Sequence, residues 1–525
     1  MTTAPAPDTG FELPNATDRA FTWTYDPMHF PQPLPPLSQD IMRSIMTNAF
    51  QRETAFPNGY PFMKDFAPPP PTAEVLEKGA VRIWEDEFVP RIAAFCDRVR
   101  STDYGSLSAA VVAGQLAGLF QEAGEIFSCT MVVVFPFMGP TLAMVEFAEQ
   151  TLGRDGPLLA SSMLQGYANE TSSAGSGISE LTDLARTLPE VARALRDGGF
   201  DTLGTVVGGP QFLERFEAFL GDYGWRVDDW ALMHHPTWAE NAAAPLKLIA
   251  AFLDAAERSP GAAIGRSAEI REAAERDIRA RLSGGQLEQL LGMVAVARPH
   301  VSMSEGRARW QLTIAGSLRV PVVALGRKLQ AAGALADPND AFFLGPDELR
   351  QAAAAPSPAT LALVEERKRE LQHAKTLTPP PFLGQPPATD EAPPEVQSVF
   401  KHFFGLGVVP SADATVITGN PASKGVVTGR ARVIKDLADA DRLEPGDILV
   451  CTMTAPPWTP LFAIAGGVVT DTGGVLSHSG ICAREYGIPC VVGTQNGTAL
   501  IEDGMQVRVD GSTGIVTILG KQHRG

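Results

Sequence analysis

Thr470-Asp-Thr-Gly-Gly-Val-Leu-Ser-His-Ser-Gly-Ile-Cys-Ala-Arg-Glu-Tyr-Gly-Ile-Pro-Cys-Val-Val-Gly493 reads as the end of one strand, a glycine loop, a short helix and a second strand. The apolar run Gly466–Thr470 supplies the first strand and the pair Gly473-Gly474 breaks it. Ser477 is placed to cap a helix running from His478 to about Tyr486, Gly487 to stop it, and Ile488–Val492 to begin the next strand. His478 then stands in the first turn of a helix, where N–H groups and the positive end of the helix dipole favour an anion such as a phosphoryl group. A neutral imidazole there is a nucleophile able to carry phosphate covalently. An isolated Ser-His pair would read only as a cap or a turn.

The surroundings of this histidine resemble the phosphohistidine signature of the phosphoenolpyruvate-utilising enzyme family. The likeness rests on Gly473-Gly474, Ser477-His478, Ala483-Arg-Glu-Tyr-Gly-Ile-Pro489 and Val491-Val-Gly493. It implies that His478 is the catalytic phosphate carrier, with Gly473, Gly474 and Ser477 at the phosphate. Cys482, four residues on and on the same helix face, reads as a small packing residue.

Working outward, the chain from Val408 is punctuated into short β runs: Gly425–Ile434, Asp447–Thr452, Gly467–Thr470, Pro489–Gly493, Gln506–Val509 and Thr513–Leu519. Residues 408–525 thus form a compact α/β domain, which resembles the family's swivelling β/β/α domain. Upstream, residues 378–407 hold seven prolines between Thr378 and Glu395 and read as a semi-rigid hinge linker with a reach on the order of 50 Å. Residues 21–377 carry amphipathic helical spacing and read as one large, mainly α domain. Residues 1–20 read as a disordered N-terminus. The expected fold class is therefore multidomain, α and α/β.

The net charge of −17 and pI near 5.0 argue against a nucleic-acid surface. Five cysteines without Cys-x-x-Cys spacing suggest neither disulfides nor a zinc site, and no metal ligands are assigned. The adjacent pair His234-His235 does not change that. Met1–Gly10 lacks a signal-peptide pattern, so a cytoplasmic protein is expected. The uncharged run Ile126–Val145 is long enough to span a bilayer, but its prolines, glycine and missing basic flanks favour a buried helix, and no membrane partner is expected.

The helical domain resembles the acceptor-binding region of rifampin phosphotransferase through Asn58-Gly-Tyr60, Leu164–Thr171, Asp222-Tyr-Gly-Trp-Arg226, Pro236-Thr-Trp-Ala-Glu240 and Asp337–Leu344. Where that family has an Arg-Glu pair followed by Lys, this chain has Ser304, Glu305 and Ala308, flanked by Arg307 and Arg309. Arg307 is the candidate for neutralising a phosphoryl group in transit. Trp225, Arg226, Trp238, His300, Glu305 and Trp310 are candidates for the acceptor site, with His300 as the base. The bland alternative is a core of aromatics and a solvated Glu305–Arg309 pair.

Family members usually carry an ATP-grasp domain on the same chain. None fits here, and there is no Gly-x-x-x-x-Gly-Lys-Ser/Thr loop. This layout resembles the histidine-bearing subunit of phenylphosphate synthase and of hydroxyphenyl ketone kinases. That resemblance implies an ATP-grasp partner subunit holding ATP and Mg2+, release of AMP and phosphate, and a small phenolic acceptor. An antibiotic hydroxyl is the alternative acceptor, and a phosphocarrier that modifies no small molecule is the non-enzymatic one.

Overall fold

The computed structural model describes residues 10–13, 15–27, 29–65, 72–166, 170–227, 229–253, 260–386, 394–405, 411, 413, 415–435 and 437–521. Tyr167-Ala-Asn169 of the quoted block, residues 1–9 of the N-terminus, and 387–393 and 406–407 of the linker lie outside them.

The described chain clusters into two compact units. The first comprises residues 1–136, 229–236 and 310–391, the second 137–228, 237–309 and 392–525. These units cut across the helical region that the sequence presents as one domain, and the second joins part of it to the α/β portion.

In the first unit a small sheet is built from β1 (Thr22–Tyr25), β2 (Thr54–Ala55), β3 (Phe62–Lys64) and β4 (Phe382–Gly384), in the order β2-β3-β1-β4. β4 corrects the linker expectation. Its residues pair antiparallel with β1, and Tyr25 N–H donates to the Pro381 carbonyl at 3.0 Å, so this proline-rich segment is anchored rather than a free spacer. Proline lacks an N–H but keeps its carbonyl, which suits it to a sheet edge. Ala16–Ala20 likewise form a 3-10 turn whose Asp18 carbonyl accepts from the Trp23 indole at 2.9 Å, so this part of the N-terminus is ordered.

Pro36–Phe50 and Ala109–Met131 are the main helices here, and the buried Arg319 donates to Met233 O and Asn339 Oδ1. The membrane-length run is broken. One helix ends at Met131, another begins at Val134, and Pro140 lies inside the latter. Among the described residues no helix is long and apolar enough to cross a membrane.

The second unit has two parts. Its helical body includes Val134–Leu152 from Phe137 onward, Gly156–Ser162, Glu170–Thr187, Pro189–Arg196, Gly209–Tyr223, Ala243–Leu253, Pro260–Arg281 and the Gly284–Arg309 portion of a helix reaching Ala331. That helix is continuous through Pro299 and Pro321.

The α/β part is an eight-stranded sheet of β5 (Val416–Thr418), β6 (Asn420–Ser423), β7 (Val426–Val433), β8 (Ile448–Cys451), β9 (Gly467–Thr470), β10 (Cys490–Val492), β11 (Met505–Asp510) and β12 (Ile515–Lys521). The order is β5-β12-β11-β7-β8-β9-β10-β6, with β7 to β10 parallel in register and the other pairs antiparallel. β8, β9 and β10 are wholly buried, as strands covered on both faces must be, which explains their uninterrupted apolar runs.

Trp458, Leu461 and Phe462 belong to one apolar cluster with Phe219, Ile249 and Phe252 of the helical body. That shared core is what places the histidine loop against the helices.

Candidate active site

β9 delivers the chain into the loop that precedes His478. Ser477 is extended and its Oγ accepts from Gly480 N–H at 3.4 Å, a standard N-cap, while Gly487 ends the His478–Tyr486 helix in the left-handed region at φ 66°.

The loop itself is held from behind by the end of the Pro394–His402 helix. Gly473 N–H donates to Phe404 O at 3.0 Å, Gly474 N–H to Phe403 O at 2.8 Å, and Leu476 N–H to His402 O at 3.1 Å. The N–H donors of Gly473 and Gly474, assigned from the sequence to the phosphate, are here bonded to backbone carbonyls. Glycine is required for a different reason: a Cβ on Gly474 would lie 2.1 Å from His402 O, and Gly473 sits at φ 100°.

The half-buried imidazole of His478 has Nε2 3.4 Å from Thr459 Oγ1 and 3.4 Å from Cys482 Sγ, with its ring edge-on to Phe462 at 6.5 Å. Cys482 is fully buried and packs as expected, one helical turn from His478. Thr459 is a site residue that the sequence did not single out. It sits in Trp458-Thr-Pro-Leu-Phe462, and a lone threonine carries no periodic signal. Hydroxyl, thiol and phenyl groups together restrict the ring to one orientation, which a group-transfer nucleophile requires.

Of the proposed acceptor residues, the structure brings Arg226 and Trp238 together. The Arg226 guanidinium lies 5.4 Å from the Tyr223 ring and 5.8 Å from that of Trp238. Arg309 is stacked on Tyr223, also at 5.4 Å. Phe219 stacks on Trp238 at 6.1 Å and meets Tyr223 at 5.3 Å, which ties this cationic and aromatic group to the cluster containing Phe462.

Trp225 is half-buried near Arg226 in sequence, and His300 is engaged through Nδ1 with Val296 O on its own helix at 2.9 Å. Arg307 lies two residues before Arg309 on the same helix, and the Glu305 side chain is outside the described set. Trp310 falls in the first unit.

A second feature lies on another face of the His478 helix. A cleft is lined by Leu164, Gln165, Val301 and Ser304 of the body and by Leu476 and Arg484 of the α/β part, among others, and its enclosed portion is about 40 Å3. Arg484 is 3% exposed, and burial pushes its guanidinium down to about 10. Its Nη1 donates to Ala422 O and Val475 O at 2.8 and 2.9 Å. Among the described residues no carboxylate forms an ion pair with it.

Polar contacts across the same seam include Lys401–Glu149 at 2.6 Å, Arg154 Nη2 to Thr513 O at 2.9 Å and Ser267 Oγ to Glu485 O at 3.4 Å. Such exposed pairs are worth under about 1 kcal/mol each, so the apolar cluster dominates the docking.

Residues 443–514 match the model described as PEP-utilising enzyme, mobile domain, and residues 130–304 that of the rifampicin phosphotransferase fourth domain. The first contains His478 and Thr459, and the second contains Arg226, Trp238 and Ser304. Along 96% of its length the chain is 29% identical to chondramide synthase cmdD of Chondromyces crocatus, covering 14% of that protein. It is 32% identical over 68% of its length to the rifampicin phosphotransferase of Streptomyces sviceus, covering 40% of that protein. It is also 51% identical over 106 residues to the prodigiosin synthesizing transferase PigC of Serratia marcescens, covering 12% of that protein. The chain thus spans about two-fifths or less of the length of these relatives. It carries a PEP-utilising mobile domain and a rifampicin-phosphotransferase-like helical domain, and its relatives include phosphotransferases.

Proposed function

We propose that this chain is the carrier and acceptor-binding part of an ATP-dependent phosphotransferase. His478 takes a phosphoryl group from an ATP-grasp module on a separate subunit, which holds ATP and Mg2+, and delivers it to the hydroxyl of a small phenolic molecule in the helical body. The observation that carries this reading is the placement of His478. It stands at a helix N-terminus, oriented by Thr459, Cys482 and Phe462, on an apolar cluster continuous with Phe219, Tyr223 and Trp238.

In the first half-reaction an N–P bond forms at the imidazole as the bond between the β-phosphorus and the AMP oxygen breaks, and water then cleaves the β–γ P–O–P link, so that inorganic phosphate leaves and one phosphoryl group stays on His478. In the second, the acceptor oxygen attacks phosphorus and the N–P bond breaks. The proton released by the hydroxyl balances the one taken up by the leaving imidazole. The protein's share is positioning and charge, since the transferring group needs cations more than covalent help. Arg226 and Arg309, stacked around Tyr223, are the cations nearest the aromatic group. Burial in the docked arrangement keeps water from competing as acceptor. AMP and phosphate are the remaining products in this scheme.

A second reading, an antibiotic hydroxyl as acceptor, is favoured by the name of the rifampicin phosphotransferases that match most of the chain. The test mixes the full chain, a candidate ATP-grasp partner, Mg2+ and ATP labelled in its phosphates with phenol, 4-hydroxyphenyl ketones or rifampicin. Acceptor-dependent AMP release supports the enzyme, and the acceptor that turns over separates the two readings. Acid-labile label on His478 without product indicates a phosphocarrier. Label that survives in His478→Ala refutes the phosphohistidine.

A further inference from the structure

Two of the residues that line the cleft, Arg484 and Gln165, each hold one buried polar side-chain atom that the described residues do not satisfy. Arg484 Nε and Gln165 Oε1 have no hydrogen-bond partner among the described residues, in side chains only 3% and 4% exposed. Gln165 is otherwise committed: its Nε2 reaches Ile481 O at 3.5 Å and its backbone carbonyl accepts from Arg271 Nη1 at 2.8 Å. Leaving such groups unmet is costly, and the cost is recovered by whatever meets them.

One atom is a donor that has kept its proton and the other is a pure acceptor. A carboxylate or carbonyl satisfies Arg484 alone. An ammonium satisfies Gln165 alone and is repelled by the guanidinium. A hydroxyl, that of water or of an organic guest, accepts from Nε and donates to Oε1 at once. The enclosed 40 Å3 takes one such group rather than a whole ring, and Leu164, Val301 and Leu476 offer an apolar wall for the rest of the molecule.

We propose that this cleft binds the hydroxyl of a small aromatic alcohol or phenol, held between Arg484 Nε and Gln165 Oε1. The class of guest rests on the proposed phenolic acceptor, but the site is separate from the point of transfer. Thr459 and Cys482, which flank the His478 imidazole, do not line it, and Arg484 is six residues along the helix. Gln165 belongs to the helical body and Arg484 to the α/β part, so the pair exists only in the docked arrangement. A guest that binds both therefore favours docking by linkage, so that the acceptor itself draws the carrier in.

The test is equilibrium binding of phenol and of toluene to the full unphosphorylated chain by calorimetry. Phenol is expected to bind at least tenfold more tightly than toluene. In Gln165→Leu, which keeps volume and removes Oε1, that preference should collapse to within threefold. Equal binding of the two probes to the unaltered chain overturns the proposal, as does an undiminished preference in Gln165→Leu. A urea midpoint of Gln165→Leu close to that of the unaltered chain separates a lost site from a folding defect. Because no ATP or partner is present, failure here is distinct from failure of the phosphohistidine, which is read from label on His478.

Discussion

Replacing Gly474 by alanine tests whether the histidine loop is shaped by the chain behind it or by a phosphate in front of it. The added Cβ would lie 2.1 Å from His402 O, 2.4 Å from the His402 carbonyl carbon and 2.9 Å from Lys401 O. All three are backbone atoms that cannot rotate away, and ordinary contact requires a separation of about 3.4 Å, so the loop and the 394–402 helix must part by more than 1 Å. Overpacking of this kind costs about 1–3 kcal/mol. The same movement stretches the bonds from Gly474 N–H to Phe403 O and from Leu476 N–H to His402 O, each worth about 1 kcal/mol. The expected total is about 2–4 kcal/mol, read as a lower urea midpoint with an unchanged slope. The loop shift should also misplace His478 and reduce the rate of its labelling. The opposite view, in which Gly474 N–H holds the phosphoryl group, expects little change in stability, because alanine retains that N–H. A midpoint equal to that of the unaltered chain would refute the packing argument.

Thr459→Val removes the hydroxyl 3.4 Å from His478 Nε2 while keeping its shape, so about a tenfold loss of labelling rate is expected with no more than a small change in melting temperature. His402 supplies a pH test. Burial, reinforced by Lys401, holds its pKa below the usual 6.5 despite Glu149 and Glu146. The unfolded chain therefore takes the proton first, and stability present above pH 6.5 is lost as pH falls through that value toward the folded pKa. A urea midpoint that declines between about pH 7 and 5 in the unaltered chain, and declines less steeply in His402→Gln, where the buried His234 still contributes, is the expected result. An equal decline in both proteins would rule His402 out.

Much of the site was legible because it is local. Ser477, His478 and Gly487 spell a cap, a first turn and a stop, and the structure places a helix over His478–Tyr486. Buried parallel strands read equally well from their apolar runs. The features that escaped depend on distant partners. β6 contains Pro421 and β4 follows a proline run, and both are edge strands, where a missing N–H is tolerated. Thr459 meets His478 only through tertiary packing. Gly473 and Gly474 read as a strand break beside a phosphate, but sequence cannot say which groups their N–H donors meet, and in the structure these are the chain's own Phe403 and Phe404 carbonyls. Arg307 and Arg309 are two residues apart, so they face different sides of their helix, and only the fold shows that Arg309 meets Tyr223.

The three carbonyls of residues 402–404 also bear on how a swivel would work. Because they accept from Gly473, Gly474 and Leu476, the end of the 394–402 helix is bonded to the histidine loop and must travel with it. Any pivot therefore lies before His402, not in the glycines that flank the histidine. The same helix touches the body through Lys401 and Glu149, whose side chains are 51% and 36% exposed. A pair so open to solvent contributes under about 1 kcal/mol, which makes it a contact that motion can break cheaply. The larger barrier is the separation of Trp458, Leu461 and Phe462 from Phe219, Ile249 and Phe252, since apolar area returned to water costs about 25 cal/mol per Å2. On the proposed function, release of the carrier would be governed by whatever competes for that apolar face. A donor module that offers Phe462 and Trp458 an equivalent apolar surface would move the equilibrium without any change at His478 itself.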